Sequence, residues 1–215
     1  LTSITDALGN TATLTYDAVG NLTSITDAEG RTTTFEYDGL NRRTKITDAF
    51  GAETTFAYDP NGNITVITDP RGNTTTSTYD SRNRLTVTTN ALSQTEIRGY
   101  DANGNLTSVT DVAGNTKTHD YNAADQLVSA TRPGSAVYQY EYDNVGNRTA
   151  VVDPTGVRAE QTYDPVDRSI ALVASNGDLE AYSYDRLGNQ TSTQRKDGSD
   201  QLYYSETLTY DALSR

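Results

Sequence analysis

A Tyr-Asp pair, once replaced by Tyr-Asn, returns every 21 residues: Tyr16-Asp17, Tyr37-Asp38, Tyr58-Asp59, Tyr79-Asp80, Tyr100-Asp101, Tyr121-Asn122, Tyr142-Asp143, Tyr163-Asp164 and Tyr184-Asp185. The next pair, Tyr210-Asp211, follows after 26 residues, so five are inserted in the last full repeat. A fixed period of this size means that one small supersecondary unit is stacked on itself. The chain therefore reads as one continuous array over residues 1–215. Both ends fall inside the repeat pattern, as in a piece cut from a longer array.

Composition alone would point elsewhere. Leu, Ile, Val and Phe make up under a fifth of the chain and the net charge is −12, a combination that leans towards disorder. A disordered chain has no need to keep Tyr, Gly and Leu in register, and Thr and Tyr supply the missing strand-forming character. Cysteine is absent, which excludes disulfides and thiolate metal sites. No apolar run reaches the length of a membrane-spanning helix, and no signal peptide opens the chain. The acidic balance argues against nucleic acid and anionic membranes as partners, since both require basic surfaces.

Residues 16–36, YDAVGNLTSITDAEGRTTTFE, serve as the type unit. Asp17-Ala18-Val19-Gly20-Asn21 and Asp27-Ala28-Glu29-Gly30-Arg31 are turn signals, because Asp caps nearby backbone amides while Gly and Asn tolerate positive φ. The runs between them are rich in Thr, β-branched and aromatic residues and show no helical period. Each unit is thus predicted to be a β-hairpin, joined to the next by a second tight turn. Roughly 20 strands spaced about 4.8 Å apart cannot stay flat, given the native twist between neighbours. The expectation is all-β: tandem 21-residue hairpins forming one long, curved antiparallel sheet.

In the second strand, Thr33, Phe35 and Tyr37 alternate with Thr32, Thr34 and Glu36, so one face is aromatic and the other polar. The Tyr slot is invariant within the chain. The Phe35 slot is also filled by Ser77, Arg98, His119 and Gln161. Leu22 and Ile25 fall on opposite faces unless a bulge intervenes, and the sequence leaves both arrangements open. The Tyr rows are expected to be buried. Tyr100→Ala would then cost about 3–5 kcal/mol, as large-to-small core changes do.

A second period overlies the first. Gly20, Gly62, Gly104, Gly146 and Gly188 each precede Asn, whereas the intervening units carry Asn41-Arg42, Asn83-Arg84, Asp125-Gln126 and Asp167-Arg168. Either a two-unit block was duplicated, or alternate units meet different surroundings. Two stretches break the pattern. Ala130–Ser135 keeps turn chemistry but loses its opening Asp, and Arg195–Gln201 carries the extra length, read as a longer hairpin tip.

Candidate chemistry is sparse. Asp59-Pro60-Asn61-Gly62-Asn63 is similar to a calcium loop, but its Gly is misplaced and no bidentate Glu follows. The Asp ladder places equivalent carboxylates at equivalent turns, whereas acid/base catalysis needs two in different environments. His119 is the sole histidine and occupies the variable Phe35 slot, so it reads as a tolerated strand residue. Asn-x-Thr sequons at Asn21, Asn63, Asn73, Asn105, Asn147 and Asn189 arise wherever a turn ends in Asn before a Thr-rich strand. No catalytic residue, metal or cofactor is expected. The Tyr-Asp pairs and the repeated glycines are read as structural positions.

The pattern Tyr-Asp-x-x-Gly-Asn-Leu-Thr-x-Ile-Thr-Asp-x-x-Gly resembles the YD-repeat or Rhs family over essentially the whole chain. That family includes bacterial Rhs and wall-associated polymorphic toxins, the C component of Tc toxin complexes, and teneurins. The resemblance implies a sheet spiralling into a hollow shell, which in bacterial members encloses a C-terminal toxin. The core segment that closes the shell and self-cleaves is not visible here. Asp69-Pro70-Arg71-Gly72 and Asp153-Pro154-Thr155-Gly156 sit at ordinary second-turn slots. Two functions follow: a structural shell segment of a secreted or cell-surface protein, or an extracellular adhesion or stalk module contacting glycans or proteins. The expected partners are the rest of the array and an enclosed cargo, with self-association through the unpaired sheet edges expected near Leu1 and Arg215.

Overall fold

The computed structural model describes residues 2–211; the edges expected at Leu1 and Arg215 lie outside them. Twenty antiparallel strands in one open sheet, and no helix, make up the regular structure of the described residues. The chain divides into two units, Leu1–Gly99 with Val109–Asn115, and Tyr100–Ser108 with Thr116–Arg215. In the first, neighbouring strands pair in sequence order from Ser3–Thr5 to Thr95–Tyr100. In the second the same order runs from Thr116–Tyr121 to Leu202–Thr207.

The type unit folds as the strands Leu22–Thr26 and Thr32–Tyr37 around the turn at residues 27–31. Its pairing with the preceding strand, Thr11–Tyr16, settles the question of faces. Thr15 stands opposite Ser24, but Tyr16 stands opposite Leu22, so Thr23 is an extra residue, a β-bulge. The bulge shifts Leu22 by one position and brings it onto the face that carries Ile25, Leu14 and Tyr16. The same shift recurs where Tyr37 meets Arg43, Tyr58 meets Ile64, Tyr79 meets Leu85 and Tyr142 meets Arg148. One face therefore collects Tyr, Phe, Ile and Leu, while the other is lined with Thr, Ser and charged residues. Hydroxyl pairs such as Thr26–Thr32 at 2.8 Å and Thr15–Ser24 at 2.7 Å tie neighbouring strands on the polar face.

No second layer covers the apolar face among the described residues. Among the described residues Ala150 is the only buried apolar side chain, at 2% exposure, and Thr193 the only buried polar one. The accessible surface is 13793 Å², against about 9,700 Å² for a compact monomer of this mass. Stability rests on strand hydrogen bonds, on cross-strand pairs worth about 0.2–1 kcal/mol each, and on the turns.

The inserted residues do not enlarge a hairpin tip as expected. The turn at residues 197–201 is of ordinary size, with Asp197 N donating to Gln201 O at 3.0 Å. The extra length lies in the strands, Gln190–Lys196 and Leu202–Thr207, with a second bulge at Tyr203. Lengthening strands in pairs preserves the turn and adds ladder bonds, which a longer loop would not.

Candidate functional site

Most turns are built around one carboxylate. At Asp17, Oδ1 accepts from Val19 N at 3.1 Å and Asn21 N at 2.8 Å, and Oδ2 accepts from Asn21 Nδ2 at 2.9 Å. Gly20 N returns to Asp17 O at 3.2 Å, closing a type I turn followed by a left-handed residue. That residue is Gly20 at φ 97° in one unit and Asn41 at φ 61° in the next; Asn and Asp enter this region more readily than other side chains. The closing residue matches the opening one. Asp38 accepts from Arg42 Nε at 2.7 Å, whereas Asn90 and Asn122 donate through Nδ2 to Gln94 and Gln126. The Asn21 amide, and then the Asn21 backbone, hold the Asp17 carboxyl below its ordinary value against partial desolvation. The Arg84 side chain takes Asp80 down to about 2.

The tyrosines are anchored by their hydroxyls. Tyr37 donates to Leu22 O at 2.9 Å, Tyr58 to Arg43 O at 2.7 Å, Tyr79 to Ile64 O at 2.9 Å and Tyr121 to Leu106 O at 3.1 Å. Tyr142, Tyr163 and Tyr184 do the same to Leu127, Arg148 and Ser169. Despite the insertion, Tyr210 still reaches the equivalent carbonyl, that of Gln190, at 2.8 Å. The rings are half-buried, and Tyr16 is 42% exposed. The expected buried ladder is corrected accordingly: a single-layer sheet has nothing to bury the rings against, and each ring lies along its neighbours with the hydroxyl bonded to the backbone.

The 42-residue period corresponds to two alternating links between successive first turns. Asn21 Nδ2 donates to Asn41 Oδ1 at 2.9 Å, and Asn63 donates likewise to Asn83, Asn105 to Asp125 and Asn147 to Asp167. The next link differs. Arg42 Nη1 donates to Asp59 O at 2.9 Å with its guanidinium 4.6 Å from the Tyr58 ring centre. Arg168 repeats this on Asp185 and Tyr184. A left-handed residue with a side-chain acceptor is needed in every second unit, and a glycine suffices in the others. Of the two accounts left open, different surroundings for alternate units has a physical basis here. Sequence reasoning passed over Arg42, Arg168 and the acceptors Asn41, Asn83, Asp125 and Asp167 as individual contributors; the alternation was their trace.

Asp101, Asp143, Asp164 and Asp185 sit in the same turn geometry, and so do Gly62, Gly104, Gly146 and Gly188 at their left-handed positions. The sequon amides are engaged as well: Asn63, Asn73 and Asn189 all donate Nδ2 to the Asp of their own turn. No group of three or more His, Asp or Glu side chains among the described residues is placed to hold a metal ion. Among the described residues no helix is long and apolar enough to cross a membrane.

These features define a class: a hairpin-repeat array in which structure is carried by capped turns and anchored tyrosines. The RHS Repeat profile matches residues 1–29, 16–54, 58–95, 100–137 and 121–159, more than half of the chain, and the chain belongs to this family. No curated protein matches it. Among solved structures it is similar to TcdB2-TccC3 without its hypervariable C-terminal region, with a TM-score of 0.65 at 16% identity, covering 99% of this chain and 15% of that one. A Tc holotoxin pore of Photorhabdus luminescens gives a TM-score of 0.58 at 16% identity over 97% of this chain and 15% of that chain. At such identities the likeness is one of fold, and the chain spans about 15% of the length of the chains it matches.

Proposed function

We propose that this chain is a wall segment: a non-catalytic stretch of sheet in a secreted or cell-surface bacterial protein, helping to enclose a C-terminal toxin or other cargo polypeptide. The reading treats residues 1–215 as one continuous part of a longer array, with the rest of that array and the enclosed segment as its partners. The Tyr-Asp pairs and repeated glycines serve as its structural positions. The observation that carries it is the uniformity of the units. Turn carboxylates and tyrosine anchors repeat in the same geometry, which suits a wall and offers no pair of unlike carboxylates for catalysis. The fold shared with TcdB2-TccC3 supports it.

The test uses the parent protein. A low-resolution reconstruction is expected to reveal a closed wall, and limited proteolysis to spare the C-terminal segment until the wall is unfolded. An open rod with a freely digested C-terminal segment would remove the reading. The half-exposed Tyr rows favour a second one, an adhesion or stalk module whose rings stack on sugars; saturable glycan binding lost on Tyr→Phe/Ala exchange would select it.

A further inference from the structure

We propose an oxyanion-binding site on the tyrosine-bearing face, at the strands Thr116–Tyr121, Leu127–Arg132 and Ala136–Tyr142. Three departures from the repeat converge there. Arg132 stands where other units open the turn with Asp27, Asp48 or Asp69, a reversal of charge. Lys117 takes the place of Thr33 and Thr54, and His119 that of Phe35 and Phe56. The consensus residues already meet the structural needs of a unit, so three coincident changes towards basic side chains need another explanation.

Geometry brings the three together. His119 stands opposite Ala130 and Thr118 opposite Thr131, which sets Lys117 beside Arg132 at the strand end. Like charges placed across a strand pair repel, a cost that an anion between them offsets. A cavity of about 370 Å³ lies at this point, lined by Lys117, His119 and Arg132 with Leu127, Ala130 and Tyr140, and no acidic residue lines it. By strand alternation Asp120 and Glu141 belong to the opposite face. Most cations of this acidic chain meet a carboxylate, as Arg42 and Lys45 do. Lys117 and Arg132 form no ion pair among the described residues; the Arg132 guanidinium stacks 4.6 Å from the Tyr138 ring centre. His119 Nδ1 is buried without a hydrogen-bond partner. Two uncompensated cations, an imidazole and an apolar wall suit a carboxylate or phosphate, the former gaining if it carries an apolar body.

The single histidine makes the test direct. Its ring resonances are followed by NMR in the full chain while inorganic phosphate or benzoate is titrated at fixed pH and ionic strength. Saturable shifts are expected with at least one probe, and the tighter probe tells a bare oxyanion from one with an apolar body. Lys117→Thr, a residue other units carry, and Arg132→Gln should each weaken binding about tenfold, the worth of one charge-assisted hydrogen bond. Far-UV spectra and melting confirm that the variants fold. Shifts that fail to saturate with both probes, or that persist unchanged in the folded double variant, overturn the proposal.

Discussion

At the scale of single residues, each turn is a small exchange of donors and acceptors, and two measurements probe it. Hydrogen bonds hold the turn carboxylates Asp17 and Asp38 below their ordinary value of 3.8, and Asp80 down to about 2. A carboxyl whose folded value is depressed stabilises the fold fully above its unfolded value, and that contribution is lost as pH falls through the folded one. The melting temperature should therefore be flat above the ordinary carboxylate range and drop as pH is lowered from 3.8 towards 2. A profile flat to the acid limit would contradict the turn chemistry. The second measurement concerns the tyrosines. Tyr142→Phe removes the bond to Leu127 O and should cost about 1 kcal/mol in denaturant unfolding. Tyr142→Ala should cost about 2 kcal/mol, less than a buried ring would, because only part of the ring's area leaves water. Asp, Gly and Asn made the turns legible from sequence, since each has a local conformational reason to be there. Tyr exposure was not legible, because a recurring aromatic does not reveal whether a second layer covers it.

At the scale of the hairpin, the link between successive first turns is the informative feature. The junction from Asn122 to Asp143 lacks the arginine, having Gln126 instead, whose Oε1 is occupied by Asn122. Restoring the pairing seen at Asp164 and Arg168 requires both Asn122→Asp and Gln126→Arg. The double variant should gain about 1 kcal/mol, from one charge-assisted bond to a carbonyl and a guanidinium stacked on Tyr142. Hydrogen exchange in the hairpin ending at Tyr142 should slow accordingly, and unchanged exchange would show that the clasp carries no stability. The bulge at Thr23 was hidden in the sequence because bulges of this type need no glycine, and Thr is at home in any strand. The apolar pair Leu22 and Ile25, three apart where a plain strand would place them two or four apart, was its only sign. Contacts such as Asn21 to Asn41 couple residues 20 apart, and only the geometry of neighbouring turns could reveal them.

At the scale of the whole chain, what governs behaviour is how little apolar area leaves water. Only Ala150 is a buried apolar side chain among the described residues. The heat-capacity change of unfolding should therefore fall below the about 12–15 cal/mol/K per residue of ordinary globular proteins. Scanning calorimetry measures it directly, and an ordinary value would mean that a covering layer forms in solution. The all-β architecture was legible from the period because two turn signals in 21 residues leave room for nothing longer than two short strands.

The two alternating turn links also bear on how such an array can grow. Removing a single unit whose left-handed residue is Asn or Asp would bring two glycine turns side by side and leave the Asn amide of the first without its side-chain acceptor. Removing or adding two units together leaves every junction chemically as it was. Unequal recombination within a gene of this kind would then favour steps of 42 residues over the loss of such a unit alone, and arrays among its descendants should rarely carry two glycine turns in succession.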